Sequence, residues 1–453
     1  MNRLLAGFGR VNITPMMGIF IEGYFKTRHA DGVLDELEAN ALAFSDGEKR
    51  ALLLTVDNCG GSFRVMSRLR AAISEKTGVP AEAVFIHSTH THTGPSLAIE
   101  NFEGADEARL IGEYIDFLEG RLCEAAKAAL DDLKPAKMGY GVGHAPNIAF
   151  VRRFRMKDGS IKTNPGVNNP DILHPIGDVD ERVNVLRFEQ EGGQNLVLIN
   201  FGCHPDVVGG CSISGDWPAF TRRILERAID GTRAVFCNGV EGDVNHVNVH
   251  PGPGDYNGMF NDFDDVSRGY AHSRHMGNVV AAAVMQVYEK VAWTDVDAIR
   301  FAQKTIDVPS NVPDPKDMPE ARRIHEMHIS GRDDELPYKG MMLTTVVAEA
   351  GRMIRLEHGP ESFPLNIGGL VIGSVALCGI AGEPFTGIGR GIKEAEGWDL
   401  VLPCCLTNGS EGYFPMREAY DEGGYEARSS NFRAGVAELI IEEGVRLLDG
   451  LKQ

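Results

Sequence analysis

The sequence predicts an α/β fold in which mixed β-sheets are flanked by helices. Three stretches of the 453-residue chain share one pattern, in which an apolar strand, a helix and a second apolar strand alternate with polar loops. These stretches span residues 51–93, 196–245 and 370–413. Because the ligand sites of α/β folds collect in loops at the carboxyl ends of strands, we expect a metal site in the loops that follow these strands.

Each predicted element rests on an apolar run or on residues that begin or end helices. The strands are the apolar runs near 51–56, 84–86, 196–203, 234–237, 370–381 and 400–406. The helix near 66–76 is closed by Gly78, and the helix of the second stretch has Asp216 as its expected N-cap. The remaining helices are expected near 387–396, 107–133, 266–288 and 432–448.

A single domain over residues 1–453 is the predicted organisation, because no linker or low-complexity tract interrupts the chain. The segment 308–335 is rich in proline and then in charge, which is typical of an inserted loop with a helix. We therefore expect residues 303–360 to form a lid or an interface.

Composition excludes several classes of protein. The net charge of −19 argues against binding to nucleic acid or to anionic membranes by charge. No apolar run reaches membrane-spanning length, and residues 1–10 lack the apolar core of a signal peptide. The eight cysteines show no CxxC spacing and mostly lie in apolar runs, which predicts buried free thiols and a cytoplasmic protein.

The most informative motif holds three histidines, His87, His90 and His92, between an apolar strand and the pair Gly94–Pro95. In an extended segment, residues two apart point the same way, so His90 and His92 could face one pocket. Imidazole binds metals and moves protons near neutral pH. Exposed loop histidines or ordinary core histidines are the alternative interpretation.

Three further polar residues follow predicted strands, namely His204, Glu383 and Tyr413. Two imidazoles with a carboxylate form a common catalytic zinc set. Each residue alone also has a structural explanation: His204 could end a strand, Glu383 could begin a helix or lie in a turn, and Tyr413 could pack with a bonded hydroxyl.

Five short motifs resemble those of the neutral ceramidase family, in order and over most of the chain. The segment Thr89-His90-Thr91-His92-Thr93-Gly94-Pro95 is similar to the family's THTHSGP signature. The other motifs lie at 6–15, at 200–205, at 382–385 and at 412–415 with 425–426. The resemblance implies a zinc ion held by His90, His204, Glu383 and Tyr413, with His92 as the neighbouring acid and base.

Two departures from the family pattern narrow the expected chemistry. Asn245 stands where family members have a serine once discussed as a nucleophile, so covalent serine catalysis is not expected. Family ceramidases are secreted, whereas we expect no signal peptide in this chain. They also carry a C-terminal β-sandwich domain, and we expect none here because the last predicted helix ends near residue 448. We therefore expect a small soluble substrate rather than ceramide.

The sequence thus predicts a zinc-dependent hydrolase that cleaves an amide bond with metal-activated water. His92 would carry protons, and Tyr413 would bind zinc and help to hold the oxyanion. Asp57 and Asp243 are candidate acceptors that orient the histidine ligands, although they could equally close loops or cap helices. Asn245 is a candidate substrate contact.

A run of arginines, Arg152, Arg153 and Arg155, could supply one side chain for an anionic substrate group, and Arg153 is our candidate. A solvated strand face is the alternative for the others. Rival functions are lactone or ester hydrolysis, carbon–carbon bond cleavage in a sugar-derived acid, the same chemistry with Mn or Fe, and ligand binding without catalysis. The expected partner is a small molecule, and self-association of the chain stays open.

Overall fold

The computed structural model describes residues 3–24, 27–98, 105–256 and 269–452. Its helices are α1 Phe63–Thr77, α2 Ala105–Asp131, α3 Asp216–Ala228, α4 Tyr270–Tyr288, α5 Met318–Ile329, α6 Met341–Leu356, α7 Thr386–Lys393, α8 Arg417–Glu422, α9 Tyr425–Ser429 and α10 Val436–Gly450. Its strands are β1 Leu5–Asn12, β2 Phe20–Ile21, β3 Arg28–His29, β4 Gly32–Val33, β5 Glu38–Ser45, β6 Arg50–Val56, β7 Val84–Ser88, β8 Lys134–His144, β9 Phe150–Val151, β10 Arg153–Met156, β11 Ile161–Thr163, β12 Ile172–Pro175, β13 Arg182–Gln190, β14 Asn195–Phe201, β15 Ser212–Ile213, β16 Thr232–Asn238, β17 Val244–Asn245, β18 Ala292–Thr294, β19 Ile299–Pro309, β20 Ser362–Ile372, β21 Val375–Ile380, β22 Glu383–Pro384, β23 Leu400–Cys404 and β24 Tyr413–Phe414.

One supersecondary unit occurs three times. In each unit three successive strands pair antiparallel, and a helix then leads to a fourth strand that pairs parallel with the third. A second helix follows the fourth strand. The units are β1-β5-β6-α1-β7-α2, β8-β13-β14-α3-β16-α4 and β19-β20-β21-α7-β23-α10. The predicted mixed α/β fold is therefore confirmed, and the three predicted stretches are the second halves of these units.

The first two units join through β1 and β8 into one nine-stranded sheet, and the third forms a four-stranded sheet. Alternate side chains of their strands face two different cores. In β14, Leu196 and Leu198 belong to the apolar cluster shared by all three units, whereas Val197 and Ile199 face the cluster that includes α3 and α4. Because both faces are covered, the strand reads as a continuous apolar run.

His87 ties the three units together at the ends of their parallel strands. Its Nδ1 lies 3.1 Å from Thr407 Oγ1, just after β23, and its Nε2 accepts the Asn238 backbone N–H, at the end of β16, at 2.7 Å. The side chain is fully buried. Of the three histidines in the motif, His87 is therefore part of the scaffold.

The helical segment between β19 and β20 forms its own small apolar cluster from α5 and α6. The predicted segment 303–360 also includes the last residues of β19, which pair with β20 in the third sheet. The single-domain organisation, with a lid or interface in this segment, stays a prediction.

Other features of the fold refine the local predictions. The N-cap of α3 is Gly215 rather than Asp216, because the Asp216 carboxylate instead accepts the backbone N–H groups of Val207 and Val208. All eight cysteines lie in the described ranges and are free thiols. Among the helices of those ranges, none has both the length and the apolar character that a membrane crossing requires.

Candidate functional site

Loops from all three units meet at one buried cluster of polar side chains. The Nε2 atoms of His90 and His204 lie 3.5 and 3.1 Å from Oε2 of Glu383. The Tyr413 hydroxyl lies 3.4 Å from His204 Nε2. His90 follows β7 in the first unit, His204 follows β14 in the second, and Glu383 follows β21 in the third. The structure thus brings together all four residues that the resemblance implied as metal ligands.

The backbone that presents these groups is specific. His90 has φ of 74°, so the chain after β7 makes a left-handed turn instead of the expected extended segment. The two imidazoles converge nonetheless, with His92 Nε2 at 3.3 Å from His90 Nε2. Glu383 and Tyr413 are direct partners in the short parallel pair β22–β24, which fixes the carboxylate beside the phenol.

Backbone carbonyls orient both histidine ligands. His90 Nδ1 lies 2.6 Å from the Cys59 carbonyl, and His204 Nδ1 lies 2.9 Å from the carbonyl of Glu241. A proton on each Nδ1 leaves the Nε2 lone pair directed into the cluster, which is the arrangement that metal-binding imidazoles use. These carbonyls occupy the place that Asp57 and Asp243 were expected to take.

The two aspartates have other partners. Asp57 pairs with the buried guanidinium of Arg222, with Asp57 Oδ2 at 2.6 Å from Nη2. The Asp243 carboxylate accepts the backbone N–H of Thr386 at 2.8 Å, at the first turn of α7. Both carboxylates hold loops of the site in place without bonding to a histidine of the cluster.

Asn245 is buried and donates to Asn164 Oδ1 at 3.2 Å.

The electrostatics of the cluster favour a bound cation. Burial alone would raise the pKa of the Glu383 carboxyl, but the neighbouring His90 and His204 imidazoles hold that pKa well below its usual range in the metal-free protein. Burial lowers the pKa of His204, and the Arg152 guanidinium lowers it further. An ionised carboxylate beside two imidazole nitrogens, all buried, is a donor set that a divalent cation satisfies. The residues therefore fit a metal ion.

His92 is buried next to this cluster, and its ring has one hydrogen-bond contact there, from Nε2 to His90 Nε2. Its Nδ1 has no hydrogen-bond partner among the described residues. Burial, reinforced by His90, lowers the pKa of His92 well below that of a free imidazole. Gly23 packs directly on the ring, since a Cβ at that position would lie 2.6 Å from His92 Cγ. Packing and one contact with His90 thus hold the ring.

Of the three neighbouring arginines, Arg152 reaches the cluster. Its Nη1 lies 3.5 Å from His204 Nε2, and its guanidinium lies over the Tyr413 ring at 5.2 Å. Its Nε lies 2.6 Å from the buried carboxylate of Glu426. By contrast, Arg153 donates to Glu422 and to the Gly423 carbonyl, away from the cluster. The sequence showed the arginine run but not which member faces the site.

Glu241 is a site residue that the sequence interpretation missed. It follows β16 and is fully buried. One of its carboxylate oxygens lies within 4.8 Å of ligand atoms of His90, His204 and Glu383. Burial raises its pKa to about 8. The sequence did contain a signal for it, because Glu241 follows the second strand of its predicted stretch, as His90 and Tyr413 do in theirs.

A cleft of about 590 Å³ adjoins the cluster through Tyr425, whose ring lies 5.5 Å from that of Tyr413. Its described lining includes three cations and no carboxylate. The cations are Lys162, Lys339 and Arg428, and the lining also contains Tyr338, Met341 and Met342. One wall is the strand β11 and the other is the start of α6. A smaller cavity of about 230 Å³ lies elsewhere, beside Asp46 and Arg300.

Comparison with known proteins shows a likeness of fold. No protein-family model matches the chain, and no curated protein matches it. The crystal structure of neutral ceramidase from Pseudomonas aeruginosa matches with a TM-score of 0.71 and 17% identity, over 100% of this chain and 75% of that one. A structure described as ceramidase complexed with C2 matches with a TM-score of 0.70 and 17% identity, over 100% and 76%. The expected fold is confirmed: the chain has a neutral ceramidase-like fold.

Proposed function

We propose that the protein is a zinc-dependent hydrolase that cleaves the amide bond of a small N-acylated substrate. The observation that carries the proposal is the convergence of His90 Nε2, His204 Nε2 and Glu383 Oε2, with both Nδ1 atoms bonded to backbone carbonyls. The ceramidase-like fold supports the amide bond as the target, since ceramidases hydrolyse an amide.

The metal would be held by His90, His204 and Glu383, with the Tyr413 hydroxyl beside them. Zinc bound there would supply a Lewis acid for the substrate carbonyl and would make water a stronger nucleophile at neutral pH. Every other part of the reaction falls to side chains of this chain.

His92 moves the protons. Its Nε2 faces the cluster, so it takes a proton there from the attacking water and delivers it to the departing nitrogen. Burial keeps the ring neutral and able to accept that proton.

Arg152 and Tyr413 stabilise the oxygen that gains charge. Burial and the nearby Glu383 raise the pKa of the Tyr413 phenol well above its usual value, so it keeps its proton and can donate it in a hydrogen bond. The Arg152 Nη1 group lies on the same side of His204. Fixed donors in a buried site stabilise a developing oxyanion strongly, because no water has to reorganise around them.

The cleft indicates the substrate class. Its apolar residues would take an acyl chain or a ring, and its cations would take an anionic group. A small amphipathic acid, such as an N-acyl amino acid, satisfies both features. An uncharged lipid such as ceramide would offer no anionic group to Lys162 and Lys339, whereas Arg428 already pairs with Glu349.

Metal content tests the proposal first. We expect about one zinc per purified chain, and loss of that zinc in His90→Ala and Glu383→Ala, measured by elemental mass spectrometry. His174→Ala, at an exposed position on β12, is the matched control and should keep its zinc. A wild-type protein that takes up no divalent metal would refute the proposal.

Turnover then identifies the bond. The panel pairs N-acyl amino acids with uncharged amides, a short-chain ceramide, lactones, esters and sugar acids. Faster turnover of a lactone, an ester or a sugar acid would replace the amidase assignment with one of those activities. Ligand affinity that survives in His92→Ala, with no turnover of any compound by the wild type, would indicate a binding protein.

A further inference from the structure

The Glu241 carboxyl is the most unusual group of the cluster, because it is fully buried and lacks strong hydrogen bonds. Neither of its oxygens accepts a hydrogen bond from an N–H or O–H donor of the described residues. The Cys405 thiol contacts it, but a thiol is a weak donor. Buried carboxylates in proteins are normally paired with a cation or coordinate a metal.

Geometry places this carboxyl where a metal ligand would be. Single ligand atoms of Glu241, His90, His204 and Glu383 all lie within 4.8 Å of one another. Donors on opposite sides of one ion are separated by about 4 Å, since each bond to zinc is roughly 2.0–2.2 Å long. A small contraction of the four side chains would therefore bring all of them onto one cation.

The repeated architecture supports the same position. The loops after β7 and β23, the fourth strands of the first and third units, carry His90 and Tyr413 into the cluster. Glu241 lies in the loop after β16, the fourth strand of the second unit. Each unit thus sends a group into the cluster from the loop after its fourth strand.

We propose that Glu241 is a second carboxylate ligand of the divalent metal ion, so that two imidazoles and two carboxylates surround the ion. This inference rests on the metal site of the proposed function. Two carboxylates balance both positive charges of the ion in a buried site, and carboxylate oxygens are donors that suit Mn²⁺ as well as Zn²⁺.

The test measures metal affinity rather than activity. Metal-free full-length protein is titrated with Co²⁺, followed by visible absorption, and with Zn²⁺ in competition with a chelator. We expect Glu241→Gln to raise the dissociation constant of both metals by at least about tenfold and to change the Co²⁺ spectrum. Glu226→Gln is the matched control, because Glu226 pairs with Arg10 outside the cluster. It should bind both metals as the wild type does.

Thermal unfolding separates a ligand from a structural group. If Glu241 binds the metal, Zn²⁺ will raise the melting temperature of Glu241→Gln much less than that of the wild type. Glu241→Asp, which keeps the charge on a shorter side chain, should show intermediate affinity. Equal metal affinity and equal stabilisation by Zn²⁺ in the wild type and Glu241→Gln would overturn the inference while leaving the proposed function standing. Absence of metal uptake by the wild type would overturn both.

Discussion

The floor and the wall of the site are built in different ways. The floor, His90, His204, Glu241 and Glu383, comes from loops that directly follow strands of the three core units, and its imidazoles are bonded to backbone carbonyls. The wall, formed by β9–β11, the start of α6 and residues 417–428, comes from short peripheral elements whose side chains pair mainly with one another. We infer from this difference that the floor sets the reaction and that the wall, apart from Arg152, sets the substrate.

The largest effect should come from removing a carboxylate of the floor. Glu383→Gln should reduce kcat by about 10³-fold or more, because several kcal/mol of transition-state stabilisation depend on the metal. The matched wall variant is Glu422→Gln, whose carboxylate pairs with Arg153 and Arg155. Glu422→Gln should change kcat by less than about threefold, because it removes only ion pairs of the wall. Equal losses in steady-state assays would contradict the division between floor and wall.

The next effect compares two adjacent arginines. Arg152→Lys should reduce kcat by about 100-fold with little change in KM, since removing one preorganised donor to an oxyanion costs roughly that factor. Arg153→Lys should leave kcat nearly unchanged, because its guanidinium bonds to Glu422 and Gly423. A larger loss of kcat in Arg153→Lys would restore Arg153 as the residue that contacts the substrate.

The stability of the protein should depend on pH through the buried side chain of His87. Burial lowers the pKa of His87 to about 3, so the folded protein holds it neutral while the unfolded chain protonates near pH 6.5. The contribution of neutral His87 to the free energy of unfolding is therefore present above about pH 6.5. It is lost as the pH falls towards 3, by at most about 1.4 kcal/mol per pH unit.

His87→Gln isolates this contribution, because glutamine can keep one donor and one acceptor at the site. Urea unfolding should show the variant less stable at pH 7, with the difference shrinking by about 1.6 kcal/mol between pH 6.5 and 5. Parallel stability curves for the two proteins across this range would show that His87 does not titrate as the structure indicates.

The smallest effect should come from the cations of the wall. Replacing Lys162 and Lys339 together by glutamine should raise KM for anionic substrates by about three- to tenfold, because exposed charge pairs are worth up to about 1 kcal/mol each. The variant should leave kcat and the KM of uncharged amides unchanged. Lys316→Gln, which lies outside the cleft lining, is the control. A KM that does not depend on substrate charge would remove the argument for an anionic substrate.

The strong features of the fold and of the site could be predicted from the sequence. Strands buried on both faces leave long apolar runs, and polar residues that interrupt such runs at their carboxyl ends stand out, as His90, His204 and Glu383 do. The antiparallel strands that begin each unit are harder to find. The strand β5, for instance, is rich in alanine, and its polar alternation stops after Asn40.

Choices between neighbouring residues could not be predicted. Consecutive side chains of a strand point to opposite faces, so placing Arg152 rather than Arg153 in the site depends on how the short strands β9 and β10 lie against the core. Likewise, the partner of Asp57 is Arg222, which is 165 positions away in the sequence. Only the packed structure shows that backbone carbonyls, and not the Asp57 carboxylate, orient the imidazoles.

The threefold architecture has a consequence for assembly. Each unit supplies one member of the triad His90, His204 and Glu383, so no unit holds a complete donor set. A chain fragment that ends before β19 would keep both imidazoles and lose the carboxylate of Glu383. Under the proposed function, metal uptake would therefore report whether all three units have come together, which secondary-structure content alone does not.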